Sequence, residues 1–343
     1  MQVKRETLVK ALQFANLGTS ARGETLEQSN SFIFKEGKLI TFNDEILTIS
    51  ESPLDFTAAV LADDFVKLME KFPDEYLEIN LKGEEVIIKG KRRSAGITCF
   101  HEIQLPYDAV PAPSDWSKLS ENTLKMLVLA AHTCGKDVTQ ALTMVVHTTP
   151  KLIEASDNFR LFRANLDTGF PGEVLLPALS VLKLDGLDIK RVSIAEGWAH
   201  FRTASKQVIA LRYSQGKYHE GIDKLLDIGK ADKVNLPKNL SEIVSRTIVM
   251  MDAEQEPRIK IKLAPDELTV ESRKDSGWYR EKKRVEYKGG EMEFEVSPKF
   301  LVEILQQTRE VLVNESNRMK IETEGIQFIV ALYKPEKKED ATE

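Results

Sequence analysis

The residues of this chain that could do chemistry are few. Asp63 and Asp64 are adjacent carboxylates at the start of a predicted helix, and such a pair could hold a divalent metal ion for cleavage of a nucleic acid. Acidic residues also favour helix starts because they face the positive end of the helix dipole, and we favour this second interpretation. His132 with Cys134 would supply only two metal ligands. The sequence has neither a phosphate-binding glycine loop nor a nucleophile elbow. We therefore predict no catalytic residue, no metal site, no cofactor and no enzyme activity.

An amphipathic helical pattern recurs three times at equal intervals. The three copies begin at Leu8, Leu124 and Leu240, so that the interval between the first and second copies equals the interval between the second and third. Apolar residues follow each leucine three, four and seven residues later, except that the last position of the third copy is Thr247. This spacing predicts one buried helical face in each copy. A repeat of such long period indicates similar domains in series and favours a closed, symmetric assembly.

Each copy also contains a second helix and antiparallel strands. The second helices lie in FTAAVLADDFVKLMEKFP, GEVLLPALSVLKL and MEFEVSPKFLVEILQQT, each of which runs from an extended apolar stretch into a helical stripe. Most of the remaining sequence alternates apolar and polar residues between turn signals, as strand hairpins do. The sequence predicts an α+β fold of three repeated domains, each with two helices backed by antiparallel sheets. The predicted domains span 1–109, 114–217 and 228–334, followed by a disordered charged tail at 335–343.

Composition predicts a soluble protein of the cytoplasm with no membrane partner. Of the 343 residues, 42% are hydrophobic and 30% are charged, and no apolar run approaches the length of a membrane span. The start of the chain lacks a signal-peptide pattern. Two cysteines, Cys99 and Cys134, are too few for a disulfide framework, which suits a reducing compartment. The net charge of −6 argues against a broad cationic surface that would hold nucleic acid by affinity alone.

Two local sequences support a family assignment for the repeat. In LIEASDNFRLFRANL, residues 156–161 match a Thr-Asp-Gly-His-Arg-Leu stretch, and YKGGEMEFEVSPKFLVEILQQ matches a segment in which a glycine-containing turn leads through a strand into a helix. Together with the repeat, these sequences resemble the bacterial DNA polymerase III β sliding clamp, the processivity ring of the replicative DNA polymerase. The resemblance covers residues 1–333. It implies the DNA-clamp fold and a head-to-tail homodimer in which six domains form a ring around a hole lined by helices.

The resemblance implies that the ring encircles duplex DNA and holds it by topology, with shallow and non-specific phosphate contacts. The predicted DNA-facing residues are basic positions on the pore helices, with ordinary solvated surface as the alternative for each. They are Lys10, Lys67, Lys71, Lys125, Lys183, Arg246 and Lys299. Arg22, in the loop after the first helix, resembles a DNA-contacting arginine of the family.

The resemblance also implies a pocket for short partner peptides that carry leucine or phenylalanine anchors. Its predicted residues are Leu142, Ser156, Asn158, Arg160, Leu161, Val330 and Leu332. We expect Leu161 and Leu332 to form an apolar floor and Arg160 a polar rim. For Leu142, Val330 and Leu332, packing in the core is the alternative. The chain departs from the family where Asn158 and Phe159 replace a Gly-His pair, and where its charged end replaces a Met-Pro-Met-Arg-Leu ending.

The ring interface is expected to join an edge strand of the first domain to the third domain. Its predicted residues are Arg92, Arg93, Ala95, Ile97, Ile248 and Val249. The family pairs first-domain arginines with a glutamate-rich third-domain segment, but this chain has WYREKKRVEYK there, so that like charges would face each other. Either the interface uses other partners, or the oligomer differs and this basic hairpin touches DNA.

The function predicted from this resemblance is that of a DNA sliding clamp. Such a ring tethers the replicative DNA polymerase for processive synthesis, and an ATPase clamp loader opens it, because this chain has no nucleotide-binding loop. The first alternative is a clamp-fold scaffold that recruits transcription or repair factors. A carboxylate-metal nuclease is the less favoured second alternative.

Overall fold

The computed structural model describes residues 1–20, 26–251, 258–314, 316, 318–323 and 325–332, without the side chains of Glu303, Ile304 and Gln307. The predicted DNA contact Arg22 and the predicted tail at 335–343 lie outside the described residues.

The described elements follow one order three times: a strand, a helix, four strands, a second helix and three strands. The first copy comprises β1 (Gln2–Lys4), α1 (Arg5–Ala15), β2 (Ser31–Lys35), β3 (Lys38–Phe42), β4 (Ile46–Glu51), β5 (Ala58–Leu61), α2 (Ala62–Lys71), β6 (Tyr76–Lys82), β7 (Glu85–Lys89) and β8 (Ser94–Phe100). The second comprises β9 (Ser117–Lys118), α3 (Thr123–Thr133), β10 (Val145–Thr148), β11 (Leu152–Ser156), β12 (Arg160–Asn165), β13 (Val174–Pro177), α4 (Ala178–Leu182), β14 (Ile189–Ala195), β15 (Trp198–Thr203) and β16 (Val208–Arg212).

A short helix, α5 (Ile222–Leu226), precedes the third copy. That copy comprises β17 (Asp232–Asn235), α6 (Leu240–Thr247), β18 (Ile259–Ala264), β19 (Glu267–Lys274), β20 (Gly277–Arg284), β21 (Met292–Val296), α7 (Pro298–Gln307), β22 (Glu310–Asn314), β23 (Arg318–Thr323) and β24 (Ile326–Ala331). The order confirms the predicted α+β fold with two helices and antiparallel strands in each copy.

The chain divides into two compact units. Unit 1 comprises Met1–His132, Met144–Ile153 and Leu166–Tyr218, and unit 2 comprises Thr133–Thr143, Glu154–Asn165 and His219–Glu343. The division into three domains at 1–109, 114–217 and 228–334 stays a prediction.

Unit 1 contains a sheet of twelve described strands in the order β1-β6-β7-β8-β5-β2-β3-β4-β16-β15-β14-β9. Within this sheet, β4 of the first copy pairs with β16 of the second, with Thr48 opposite Ile209 and Ile46 opposite Leu211. One continuous sheet therefore includes strands of both copies. A separate antiparallel pair of the same unit joins β10 to β13.

The first and third helices of the repeated pattern have the buried faces that the sequence predicts, whereas in α3 the predicted Leu124 and Val128 are only half-buried and Met126 and Ala130 are buried beside Leu127 and Ala131. In α1, Leu8, Leu12 and Ala15 are completely buried, and they belong to a core in which Phe65 of α2 also packs. In α6 the buried face ends at Thr247, whose hydroxyl donates to the carbonyl of Ile243 at 2.7 Å. A polar residue is tolerated at this position because the helix backbone satisfies its hydroxyl.

The second helix of the second copy is shorter than the sequence pattern suggests. Helix α4 spans five residues, and Leu179 in its first turn is 66% exposed instead of buried. Among the described residues, no helix is both long enough and apolar enough to cross a membrane.

In unit 2, one described group of strands has the order β12-β24-β23-β22-β17, and a four-stranded sheet has the order β20-β19-β18-β21. Alternate residues of the first group point to opposite faces. The face that carries Arg160 and Val330 is called the helix face, because Arg160 stacks on Phe300 of α7. The other is called the outer face.

Candidate functional site

Two of the predicted DNA-facing lysines lie on the exposed surfaces of their helices. Each forms an ion pair with a carboxylate that lies one helical turn before it in the sequence. Lys10 Nζ lies 2.8 Å from Glu6, and Lys67 Nζ lies 2.7 Å from Asp63. Hydrogen bonding to Lys10 lowers the pKa of Glu6 below its usual value. Pairs at this spacing are weak in water, so a phosphate can displace the carboxylate at little cost. The positive electrostatic potential near these two lysines is nevertheless smaller than unpaired lysines would give.

The other predicted DNA-facing cations differ in their local partners. Lys71, Lys125, Lys183 and Lys299 are exposed. Arg246 of α6 donates from Nη2 to Glu281 of β20 at 2.9 Å and from Nε to the hydroxyl of Tyr279 at 3.1 Å. These bonds orient the guanidinium toward β20. DNA contact by any of these residues stays a prediction.

The next residues are those that the sequence analysis considered for metal chemistry. Among the described residues, no group of three His, Cys, Asp or Glu side chains could hold a metal ion. Asp63 is the partner of Lys67, which agrees with its interpretation as a helix-start acid. Burial raises the pKa of Cys134 to about 12, whereas His132 is exposed. A buried, protonated thiol is a poor metal ligand, because metals bind the thiolate.

In the predicted peptide site, Arg160 is buried and does not form an exposed rim. It is 6% exposed and lies directly opposite Val330 on β24. Its Nε and Nη2 atoms each lie 2.9 Å from Asp157, and its guanidinium lies 3.9 Å from the ring centroid of Phe300. The expected polar rim is therefore wrong, because a local carboxylate and an aromatic ring hold this side chain against the helix face.

Leu161 points to the outer face, away from Arg160 and Val330. Its cross-strand neighbour is Ile329, and both are buried, with 3% and 6% exposure. The predicted pocket residues therefore divide between two faces of the strands. Leu332, which follows the end of β24, is also buried. The apolar residue that accompanies Leu161 is Ile329, which the sequence analysis missed.

A segment that includes α5 runs over the outer face; we call residues 222–228 the crossing segment. At one end, Asp223 pairs with Arg163 of β12, and Arg163 also pairs with buried Glu154 at 2.7 Å. At the other end, the Ile228 carbonyl accepts a hydrogen bond from Asn314 of β22 at 2.5 Å. The cross-strand row that contains Leu161 and Ile329 lies between the row of Arg163 and the row of Asn314, so the segment crosses it.

The remaining predicted pocket residues lie around one turn. The Ser156 hydroxyl donates to the Arg160 carbonyl at 2.8 Å, and Asn158 has a positive φ of 73°. The Asn158 amide donates to Gln140, which stands two residues before the partly exposed Leu142. Asparagine is one of the few residues that tolerates this left-handed conformation, so it can replace the glycine of the family stretch. Binding of a peptide here stays a prediction.

The predicted first-domain edge lies along β8. Residues 94–98 of β8 pair with β7 on one side, and among the described strands its other side pairs with β5 only at residues 99 and 100. One backbone edge of residues 94–98 is therefore unpaired within the described chain. Ala95 is half-buried, Ile97 is buried, and Arg92 and Arg93 are exposed, with Arg93 paired to Asp74 at 2.9 Å.

In unit 2, β20 is the corresponding edge of a four-stranded sheet. Its cations are matched within the chain: Arg280 lies 2.7 Å from Glu271 and Lys282 lies 2.8 Å from Glu267, both on neighbouring β19. The expected clash of like charges assumed a basic, unmatched strand, and these cross-strand pairs reduce it. Ile248 and Val249, which follow α6, are 45% and 64% exposed. Their role in an oligomer stays a prediction.

Sequence reasoning missed the partners that fix the predicted pocket residues. Asp157 is separated from Arg160 by three positions, and this spacing in a turn was an available signal. The contacts of Phe300 with Arg160 and of Asp223 with Arg163 join residues distant in sequence. No local pattern predicts such contacts.

Comparison with protein-family models gives no match, and comparison with curated proteins gives none either. The three-copy architecture is that of the DNA sliding clamps. The structure is similar to DNA polymerase III subunit beta of Pseudomonas aeruginosa, with 17% identity and a TM-score of 0.78 over 98% of this chain and 100% of that chain. It is likewise similar to the DNA polymerase sliding clamp of Bacillus subtilis, with 16% identity and a TM-score of 0.81 over 98% and 99% of the two chains. For the DNA polymerase III beta subunit of Thermotoga maritima the identity is 18% and the TM-score 0.80, with the same coverage. These likenesses confirm the predicted clamp fold.

Proposed function

We propose that this chain is a DNA sliding clamp that encircles duplex DNA and tethers a replicative DNA polymerase. The observation that carries the proposal is the threefold order of elements, which matches clamp structures along nearly the whole chain. The role is that of a scaffold without catalysis, exercised in the cytoplasm. Its two cysteines, Cys99 and Cys134, are buried and form no disulfide, which agrees with a reducing compartment.

The ring that this function requires is proposed to be a head-to-tail homodimer. The unpaired edge of β8 in one copy and the edge strand β20 of the other could extend one sheet across the interface. Ile248 and Val249 supply exposed apolar surface for the same contact. A heterologous contact of this kind closes into a ring when its rotation permits.

The charge of the protein supports retention by topology. A net charge of −6 disfavours tight binding to a polyanion, and two of the proposed DNA-facing lysines already have carboxylate partners. Weak contacts that exchange easily suit a ring that must slide. An ATPase clamp loader would open the ring, and the polymerase would bind through a short peptide at the site around Leu161 and Ile329.

The decisive experiment loads the protein onto a nicked circular duplex with a bacterial clamp loader and ATP, and then isolates the DNA by gel filtration. We expect the protein to remain on the circle in moderate salt and to leave when a restriction enzyme linearises it. Equal retention on linear DNA with free ends would contradict encirclement. A loader-free sample controls for simple affinity.

Primer extension on a circular template separates the proposed clamp from its alternatives. A replication clamp lengthens the products of a single polymerase binding event, whereas a scaffold for transcription or repair factors would be retained on the circle without lengthening them. Divalent-ion-dependent cleavage of the DNA would instead support the nuclease.

A further inference from the structure

Three cations that belong to none of the predicted sites form a row across neighbouring strands of unit 1. Arg191 of β14 lies directly opposite Lys118 of β9 on one side and directly opposite Arg202 of β15 on the other. We call these three residues the cation row. Directly opposed residues of antiparallel strands project from the same face, so the three side chains emerge side by side.

This arrangement is unfavourable for the isolated chain. Neighbouring strands are about 4.8 Å apart, and like charges placed directly opposite each other destabilise a sheet. A carboxylate could relieve this repulsion, but within the described part of the chain no ion pair includes any member of the cation row. Elsewhere in the protein, cross-strand cations have such partners, as Arg280 has in Glu271.

The lysine adjacent to the row shows the contrast. Lys190 lies at a β-bulge beside Arg191 and pairs with Asp188 at 2.5 Å. A bulge changes the direction in which the following side chains project. The chain therefore matches Lys190 with a carboxylate and leaves Arg191 in line with Lys118 and Arg202.

An aromatic ring is built into the same place. The guanidinium of Arg202 lies 4.4 Å from the ring centroid of Trp116, and Arg191 donates to the Trp116 carbonyl at 3.4 Å. Trp116 is half-buried, so that the residue is partly accessible to solvent. These contacts hold both arginines in place before any ligand arrives, which reduces the entropy lost on binding.

We propose that the cation row binds the phosphates of a single-stranded nucleic acid. Two guanidinium groups and an ammonium in line suit successive phosphate oxygens, because guanidinium forms paired hydrogen bonds with them. The tryptophan beside the row favours nucleic acid over an acidic peptide, since an indole that solvent can partly reach can stack on a base. It favours a single strand over a duplex, because the bases of a duplex are already stacked on one another.

The proposal predicts a weak and salt-dependent interaction. Three phosphate contacts on a single strand give a slope of about −2 for the logarithm of the binding constant against the logarithm of salt concentration. The site is independent of the proposed ring, because a short linear oligonucleotide cannot be retained by encirclement.

The test is a fluorescence anisotropy titration of the full chain with a labelled short oligothymidylate at low salt. We expect the double variant Arg191→Glu, Arg202→Glu to bind at least about tenfold more weakly, with a salt slope no steeper than the value of about −0.7 that the one remaining contact of Lys118 gives, since each substitution replaces a phosphate contact with a repelling charge. Lys190→Glu serves as the matched control, because Lys190 is a nearby cation that already has a carboxylate partner. It should change the affinity for the oligonucleotide much less. Thermal unfolding of each variant checks that the fold is intact.

Two further measurements can overturn the proposal. In a Trp278→Phe background, the described tryptophans are the buried Trp198 and the half-buried Trp116, and base stacking should quench the emission of Trp116. A polyglutamate peptide of similar length should bind more weakly than the oligonucleotide. Equal binding of the folded double variant and the wild type would disprove the site, and stronger binding of polyglutamate without quenching would assign it to an acidic peptide.

Discussion

Leu161 and Ile329 lie directly opposite each other on β12 and β24, on the face that the crossing segment traverses. Both are almost completely buried, yet the ion pair that holds the segment at this end involves Asp223, whose side chain is 87% exposed. A buried apolar pair thus lies in the row that a segment held by an exposed contact crosses. If a partner peptide places its apolar anchor on Leu161, it competes with the crossing segment for this face. The ion pair between Asp223 and Arg163 should then affect the affinity of the peptide.

Asp223→Asn should therefore strengthen binding of a peptide taken from the cognate polymerase. An exposed ion pair contributes up to about 1 kcal/mol, so the gain should be at most about fivefold. Hydrogen exchange of residues 222–228 should accelerate in the same variant. Glu220→Gln removes an exposed charge just before the segment and serves as the control. Unchanged affinity together with faster exchange would show that the peptide binds elsewhere.

Arg160→Ala should lower the free energy of unfolding of unit 2 by more than the loss of an exposed ion pair would. The substitution leaves Asp157, with 12% side-chain exposure, without its guanidinium partner, a loss of about 3 kcal/mol or more for a buried pair. Urea unfolding followed by circular dichroism measures the change. Phe300→Leu keeps the ion pair and removes the ring beneath the guanidinium, so it should cost clearly less. A loss below about 1 kcal/mol for Arg160→Ala would argue against the buried pair.

The double variant Ile248→Asp, Val249→Asp should abolish the proposed dimer without unfolding the chain. Both side chains are largely exposed, so charge there has little effect on the folded monomer but opposes burial in an interface. Sedimentation should then give a mass near 38.8 kDa in place of twice that value. Leu179→Asp alters another exposed apolar side chain and should leave the mass unchanged. A wild-type mass of one chain would contradict the dimer directly.

Charge reversal at the proposed DNA-facing positions should reduce processivity unequally. Lys125→Glu with Lys299→Glu alters two exposed lysines that have no described ion pair, whereas Lys10→Glu with Lys67→Glu alters two lysines that Glu6 and Asp63 already neutralise in part. We expect the first pair to shorten primer-extension products more than the second, with the mass of the oligomer unchanged. Wild-type product lengths for both pairs would show that these helices do not face DNA.

Stability should fall in mild acid because of His200. Burial lowers the pKa of this histidine from 6.5 to about 4, so the unfolded chain takes up a proton that the folded chain excludes. Its contribution is complete above pH 6.5 and is lost as the pH falls toward 4, by about 3 kcal/mol. In His200→Asn, denaturant unfolding should show a smaller loss over this interval, and His132→Asn, an exposed histidine, should behave as wild type. Equal pH profiles for His200→Asn and wild type would contradict the assignment.

The parts of the fold that follow from local sequence were predictable. The spacing that begins at Leu8, Leu124 and Leu240 predicted three helices, because helical periodicity depends on neighbours along the chain, but in the second helix Leu124 is only half-buried and the buried face is rotated from the predicted one. The threefold alternation of strands and helices followed in the same way. Helix α4 ends after five residues, although its pattern suggested a longer stripe, and its exposed Leu179 shows that an apolar residue need not be buried.

The parts of the site that depend on pairing between distant strands were not predictable. Whether Leu161 shares a face with Val330 or with Ile329 depends on the register between β12 and β24, and a shift of one residue reverses the answer. The charges of β20 looked unmatched in sequence because Glu267 and Glu271 lie on another strand. Arg160 was assigned to a rim from its charge, since nothing local indicated the stacking with Phe300.

The pairing of β4 with β16 limits how the chain can be cut. A fragment that ends in the proline-containing stretch around Pro111 would keep β4 but lose β16, so the backbone groups of residues 46–49 would face solvent along an apolar edge. Exposed edges of this kind recruit strands from other molecules and promote aggregation. The first third of the chain, although complete in its own helices and strands, would consequently be insoluble when expressed alone, and a fragment extending through β16 would be the smallest well-behaved piece that contains it.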